Sequence, residues 1–223
     1  DEASGKVRQM SFGEPYDYAA YPYGRVEPNL AEKEVNVVAA DANHGFNNYK
    51  EAKTWAKQNV SKSYNDKETG GKGNVRISNA AIDKFLSQSA VDKSDSKDVH
   101  MAVLKVLPGL LKTSIDVETH PDFIKGEDGK RNAENGINKD VLVHRCYGAV
   151  SLDGELYRVK ITLKEDPRDL SFPHVTHSYE ATKIELLAGT WENRKSPSPN
   201  TSNSITAAKL LENVGMSYNP GEK

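Results

Sequence analysis

The stretch Val143–Glu165, VHRCYGAVSLDGELYRVKITLKE, holds two runs of strand-forming residues separated by Asp153-Gly154. Asp-Gly is a pair favoured by a two-residue hairpin turn, which needs positive φ at both central positions, so the stretch predicts a tight β-hairpin. That turn leaves one register: Leu152 opposite Glu155, Ala149 opposite Arg158, Tyr147 opposite Lys160 and Arg145 opposite Thr162. Opposed residues share a face. One face therefore collects Arg145, Tyr147, Arg158, Lys160 and Thr162, and the other Leu142, His144, Cys146, Val150, Tyr157, Val159, Ile161 and Leu163. A slip of one residue would bury every charge, which specifies the pairing. Only a bulge between Val143 and Tyr147 would exchange the faces of His144 and Cys146.

Upstream, the apolar residues recur at helical spacing. In NNYKEAKTWAKQNV, Asn48 and Glu51 stand at capping-box spacing, and Tyr49, Ala52, Trp55, Ala56 and Val60 fall on one buried face. Ser78 caps a second helix, NAAIDKFLSQ, with Ile82, Phe85 and Leu86 inside. In SDSKDVHMAVLKVLPGLLKTSI the N-cap is Asp95 or Ser96, the stripe runs through Val99, Val103, Val106 and Leu110, and Pro108-Gly109 predicts a kink or break. NDKETGGKGN ends any helix at Gly70-Gly71 and leads into a short strand, NVRIS; it has neither P-loop nor dinucleotide-binding spacing. ETHPDFIKGEDGKRNAENGINKD is a polar excursion without a period, of the kind that often carries function. Beyond the hairpin, EDPRDLSFPHVTH reads as a loop, SYEATKIELL as a third strand, and SITAAKLLENV as a short helix capped by Ser204.

Helices first and an antiparallel meander after them predict an α+β fold, with the helices on one face of a small antiparallel sheet. Residues 1–44, with Tyr and Pro interleaved in GEPYDYAAYPYGRVEPN, read as an extended arm that packs on or links to something else. Residues 45–190 form the α+β domain, and 191–223 a Ser/Pro linker with the short C-terminal helix. A net charge of −2 provides no global attraction to nucleic acid, so any such binding must rest on a local basic face. The single cysteine, Cys146, excludes an internal disulfide and leaves the redox compartment open. No apolar run is long enough to span a bilayer as a helix. The chain begins at Asp1 and its first methionine is Met10, as expected of a processed chain or an excised piece.

The three cations of the hairpin's polar face repel one another unless an anion or acidic side chains neutralise them. Arg presents a planar fork to phosphate oxygens, Lys a point charge, and Thr and Tyr hydroxyls can donate to the same oxygens, so the set suits a phosphodiester. Surface pairing with Glu155, Glu165 or Glu180 satisfies the same residues without a ligand. Cleaving RNA without a metal also needs proton transfer at the 2′ and 5′ oxygens, for which histidine is suited. The candidates are His100, His120, His144, and His174 with His177. By the hairpin register His144 lies with the apolar set, and no metal-ligand spacing is present.

KDVHMAVLKVLPGLLKTSIDVETHPD, VLVHRCYGAVSLDGELYRVKITLKE and HSYEATKIELL, in that order, resemble the nuclease-like domain of the barnase, EndoU, colicin and RelE group. The version it is similar to occurs in polyvalent proteins and toxins of phages and conjugative elements, notably of gut Bacteroidetes. The likeness runs from about Phe46 to Leu187 and is carried by the block YGAV, DG, YRVK and TLKE. It implies a metal-independent endoribonuclease of toxin or effector type, without a cofactor, acting on tRNA or mRNA in the bacterial cytoplasm, whether made there or delivered. An immunity or antitoxin protein and neighbouring domains of a larger polyprotein are the implied partners. Carried over residue by residue, it implies catalytic roles for His100, His144, Lys160, Thr162 and Tyr179. Arg145 and Arg158, with Tyr147 from the same hairpin face and His120 from the histidine candidates, would then bind substrate. The alternative class is a non-catalytic module that docks on RNA or on an acidic protein through the basic hairpin face.

Overall fold

The computed structural model describes residues 30–127, 135–165, 174–183, 203–212 and 214. The hairpin is its spine. β5 (Ile137–Leu152) and β6 (Glu155–Glu165) pair antiparallel in the predicted register, with Leu152 opposite Glu155, Tyr147 opposite Lys160 and Arg145 opposite Thr162. Asp153 and Gly154 take φ of 50° and 83°, the double positive φ that a two-residue turn requires. β7 (His174–Lys183) continues the meander on β6.

The sheet grows beyond that meander and becomes mixed. β3 (Val75–Arg76) lies parallel to β7 and carries β2 (Ser63–Tyr64) on its outer side. The free side of the long β5 is divided between two strands. β4 (Ile115–Phe123) pairs antiparallel with its first part, and β1 (Glu34–Ala40) pairs parallel with Ala149–Leu152. β8 (Ser204–Thr206) then adds to β1. Residues 34–40, read from sequence within an arm, thus become a strand. So does 115–123, whose alternation is cut short by Thr119-His120-Pro121-Asp122, and β7 starts at His174 inside the stretch read as a loop.

Helices α1, α3 and α5 form where their caps predict. α1 (Tyr49–Asn59) starts at Asn48, whose side chain accepts from Glu51 N. α2 (Asp66–Thr69) has a full capping box, Asn65 with Glu68, and stops at Gly70 in the left-handed region. α3 (Asn79–Phe85) is capped by Ser78, and α4 (Gln88–Val91) follows it. α5 (Lys97–Thr113) is capped by Ser96 and runs through Pro108, where a kink or break was expected. α6 (Ala207–Leu210) is capped by Thr206, two residues after the Ser204 expected from sequence. The Tyr/Pro-rich part of the arm, the linker around 194–202 and Ile184–Leu187 lie outside the described residues.

Helices α1, α3 and α5 bury Ala52, Ala56, Ile82, Phe85, Leu104, Leu107 and Leu111 against Cys146, Val150, Val159, Ile161 and Leu163 of the sheet. This is the apolar face assigned from the hairpin register. The opposite face is partly covered. Tyr147, Ala149 and Leu156 enter a second, smaller core with Leu30, Val35, Ile115, Val117, Ile205, Leu210 and Leu211. Burying a large apolar side chain contributes roughly 1.5–3 kcal/mol, which secures α6 and β8 to a face that alternation alone marks as polar.

Candidate functional site

The predicted site residues fall into three separate environments. His100 is fully buried on the helix side. Its Nε2 lies 2.9 Å from the carbonyl of Phe85 and its Nδ1 2.8 Å from Ser94 Oγ. Tyr179 stacks on the His100 ring at 4.2 Å and donates its hydroxyl proton to the His100 carbonyl at 3.0 Å. Burial pushes His100 down to about 4, against the Phe85 carbonyl, and pushes the Tyr179 phenol well above its ordinary value. A neutral imidazole that donates from Nε2 and accepts from Ser94 satisfies every contact, while Ser94 Oγ also accepts from Ala181 N at 2.9 Å. These two residues fasten α5 to α3 and β7, where a phosphodiester has no access.

The second environment is the hairpin's polar face. Arg145 Nη1 donates to Thr162 Oγ1 at 2.6 Å, and Thr162 and Tyr147 are buried. Arg158 Nη1 donates to the carbonyls of Leu210 and Glu212 at 3.2 and 3.0 Å. Lys160 is half-buried. The β4 register places Glu118 opposite Arg145 and His120 opposite Val143, so His120 reaches this face as well. It is buried there and stacked on Phe123 at 4.8 Å. His174 and His177 lie in β7 by their backbone.

The third environment is a cleft of about 300 Å³ between the loop that follows α2 and strands β4, β5 and β6. Its lining includes Lys33, the Gly70–Gly73 loop, Asp116, His144, Leu163 and Glu165. His144 is the one predicted catalytic residue there. Its Nδ1 lies 2.8 Å from Asp116 Oδ2 and 3.0 Å from Thr119 Oγ1, and its Nε2 lies 2.8 Å from Glu165 Oε2. Burial alone would lower its pKa, but the hydrogen bonds and charges of Asp116 and Glu165 overcome that and raise it. Each ring nitrogen thus has a carboxylate at hydrogen-bond distance, an arrangement that favours the protonated ring.

The cleft's other wall is set by a tight approach. Gly70 ends α2 at φ +70°, and a Cβ there would stand 2.2 Å from the carbonyl oxygen of Lys112. Only glycine lets the loop lie so close to the end of α5. Lys72 Nζ then donates to the carbonyls of Thr69 and Leu111 at 2.8 and 2.9 Å, holding a cation beside the cleft. Among the described residues no three His, Cys, Asp or Glu side chains are arranged to hold a metal ion.

Sequence reasoning missed Asp116, Glu165, Lys33 and Lys72. Glu165 was legible, because it lies diagonally from His144 across the hairpin, two residues beyond Leu163. Asp116 was not, because only the β4–β5 pairing brings it in.

A family model described as large polyvalent protein-associated domain 3 matches residues 46–172. That span carries the cleft's lining except Lys33. No curated protein and no solved structure matches the chain.

Proposed function

The chain belongs to the family of large polyvalent protein-associated domain 3, and from that premise we propose that it is a metal-independent endoribonuclease working at the His144 cleft. One observation carries the reading: a histidine and two carboxylates, at 2.8 Å on either side, meet in an open cleft edged by lysines. Glu165 takes the proton of a ribose 2′-hydroxyl as that oxygen attacks phosphorus. The bond from phosphorus to the 5′ oxygen breaks, and the leaving oxygen takes the proton of the His144 imidazolium. The products are a 2′,3′-cyclic phosphate and a 5′-hydroxyl end. Asp116 stays on Nδ1 and holds the ring, while Lys33 and Lys72 bring positive charge to the non-bridging oxygens. An inhibitor of the immunity or antitoxin kind would act by covering this cleft, and other domains of a polyvalent protein would supply targeting.

The test is incubation with tRNA and total RNA in excess EDTA, read on a denaturing gel. The parent protein is expected to produce discrete fragments. His144→Gln and Glu165→Gln should each lose on the order of 100-fold, the usual weight of a general acid or base. Lys160→Ala, on the opposite face, should cleave normally. Cleavage that survives Glu165→Gln but vanishes with Lys160→Ala would overturn the site and return it to the hairpin face.

A second reading is favoured by one observation, that Arg145 and Arg158 bond within the protein and both nitrogens of His144 face carboxylates. In it the domain binds RNA or an acidic protein without cleaving. Intact RNA together with a steep loss of affinity in salt would mark RNA binding.

A further inference from the structure

Residues 203–212 lie outside the family-matched span, and they bond to Lys33, which lines the cleft. β8 runs along β1 with Thr206, Ile205 and Ser204 opposite Glu34, Val35 and Asn36. At either end of that short ladder Val37 N donates to the carbonyl of Asn203 at 2.7 Å, and Ala207 N donates to the carbonyl of Lys33 at 2.8 Å. Lys33 thus holds this segment with its backbone carbonyl and is itself one of the residues that line the cleft. α6 packs on the 3₁₀ turn Leu30–Glu32 that leads into Lys33, so the turn and the segment share one apolar cluster.

We propose that residues 203–212 are a regulatory strap: its docking sets Lys33 in the cleft, so that strap docking and phosphate-ligand binding are coupled. The proposal rests on reading the cleft as an RNA site. The strap is a small cooperative unit, with a three-residue strand, a four-residue helix and four buried side chains, Ile205, Ala207, Leu210 and Leu211. Such units open locally without global unfolding. Its latch is Arg158, which binds the carbonyls of Leu210 and Glu212 that the short helix leaves unpaired at its end. Releasing the strap removes the Ala207 bond to Lys33 and uncovers Leu30, the anchor of the turn before it. By linkage, a ligand that draws Lys33 into the cleft must tighten the strap by the same factor.

The experiment uses the full chain and an all-2′-O-methyl, fluorescein-labelled RNA oligonucleotide, which binds without being cleaved. Leu210→Ser loosens the strap from the apolar side, and Arg158→Gln loosens it by the latch if Leu210→Ser fails to fold. Either should weaken binding on the order of tenfold, within the usual range of coupling energies. Adding Asn36→Cys and Ser204→Cys places two thiols at opposed positions; Cys146 is buried and does not compete. Oxidation of that variant should restore affinity and reduction should lose it again, which a direct contact of Leu210 or Arg158 with RNA would not do. Amide exchange across 203–212 should slow when the oligonucleotide binds. Fast exchange there with unchanged affinity would overturn the strap and leave the cleft reading standing. Absence of any binding by the parent protein would overturn both.

Discussion

Replacing Gly70 by alanine tests the cleft's wall by a quantity that can be worked from the structure. The residue sits at φ +70°, where an L side chain costs about 1–2 kcal/mol. The new Cβ would also stand 2.2 Å from the Lys112 carbonyl oxygen, and real Cβ atoms essentially never come within 3.0 Å, so loop and helix must part. Forcing backbone apart in a packed site costs roughly another 1–3 kcal/mol. Gly71 is the control, because it has φ +88° but nothing within 4 Å of the place its Cβ would take, leaving only the backbone cost. Gly70→Ala should therefore lose about 1–3 kcal/mol more than Gly71→Ala. For a chain of this size each kcal/mol lowers Tm by about 2–4 °C. Urea and thermal unfolding of the two variants read the difference directly. Because the parting moves the Thr69 and Leu111 carbonyls that hold Lys72, Gly70→Ala should also weaken RNA cleavage more than Gly71→Ala does. Equal stability losses in the two variants would refute the close approach as the reason for glycine.

His144 and His100 should impose opposite pH dependences. His144 has a raised pKa, so its stabilising contribution is complete below its unfolded value near 6.5 and is lost as pH rises through the folded-state value; His144→Gln should flatten the urea midpoint on the alkaline side. His100, pushed down to about 4, binds its proton more readily when unfolded, so stability should fall by about 3 kcal/mol between pH 6.5 and pH 4. That acid-side loss should vanish in a folded His100→Gln variant. Cys146 is buried with its thiol pKa pushed well up, so a thiol reagent at neutral pH should leave it untouched in the native protein and label it once urea unfolds the chain.

What the amino-acid sequence determined by itself was local. Two strands of period two around Asp153-Gly154 specify the register down to each opposed pair, because a slip would bury charge and the turn admits no other alignment. Asn48, Ser78 and Ser96 begin helices by bonding amides within their own first turns, so a few consecutive residues suffice to place them. Burial on one face of the hairpin was likewise legible from alternation. Tertiary structure alone decided what the polar face and the histidines do. β4 was hidden because the alternation of Ile115-Asp116-Val117-Glu118 lasts only four residues before Thr119-His120-Pro121-Asp122 interrupts it, and only its pairing with β5 shows where the carboxylates go. His100, read from sequence as a candidate for proton transfer, is enclosed because Phe85, Ser94 and Tyr179 close around it from other elements. Arg158, which suits a phosphate as well as a carbonyl, was claimed by the end of α6, some fifty residues on. Asp116, His144 and Glu165 come from three strands, and their meeting depends on which strands share an edge. Periodicity and capping report the bonds a residue makes with its own neighbours; a site made of side chains brought together by chain closure leaves no such local trace.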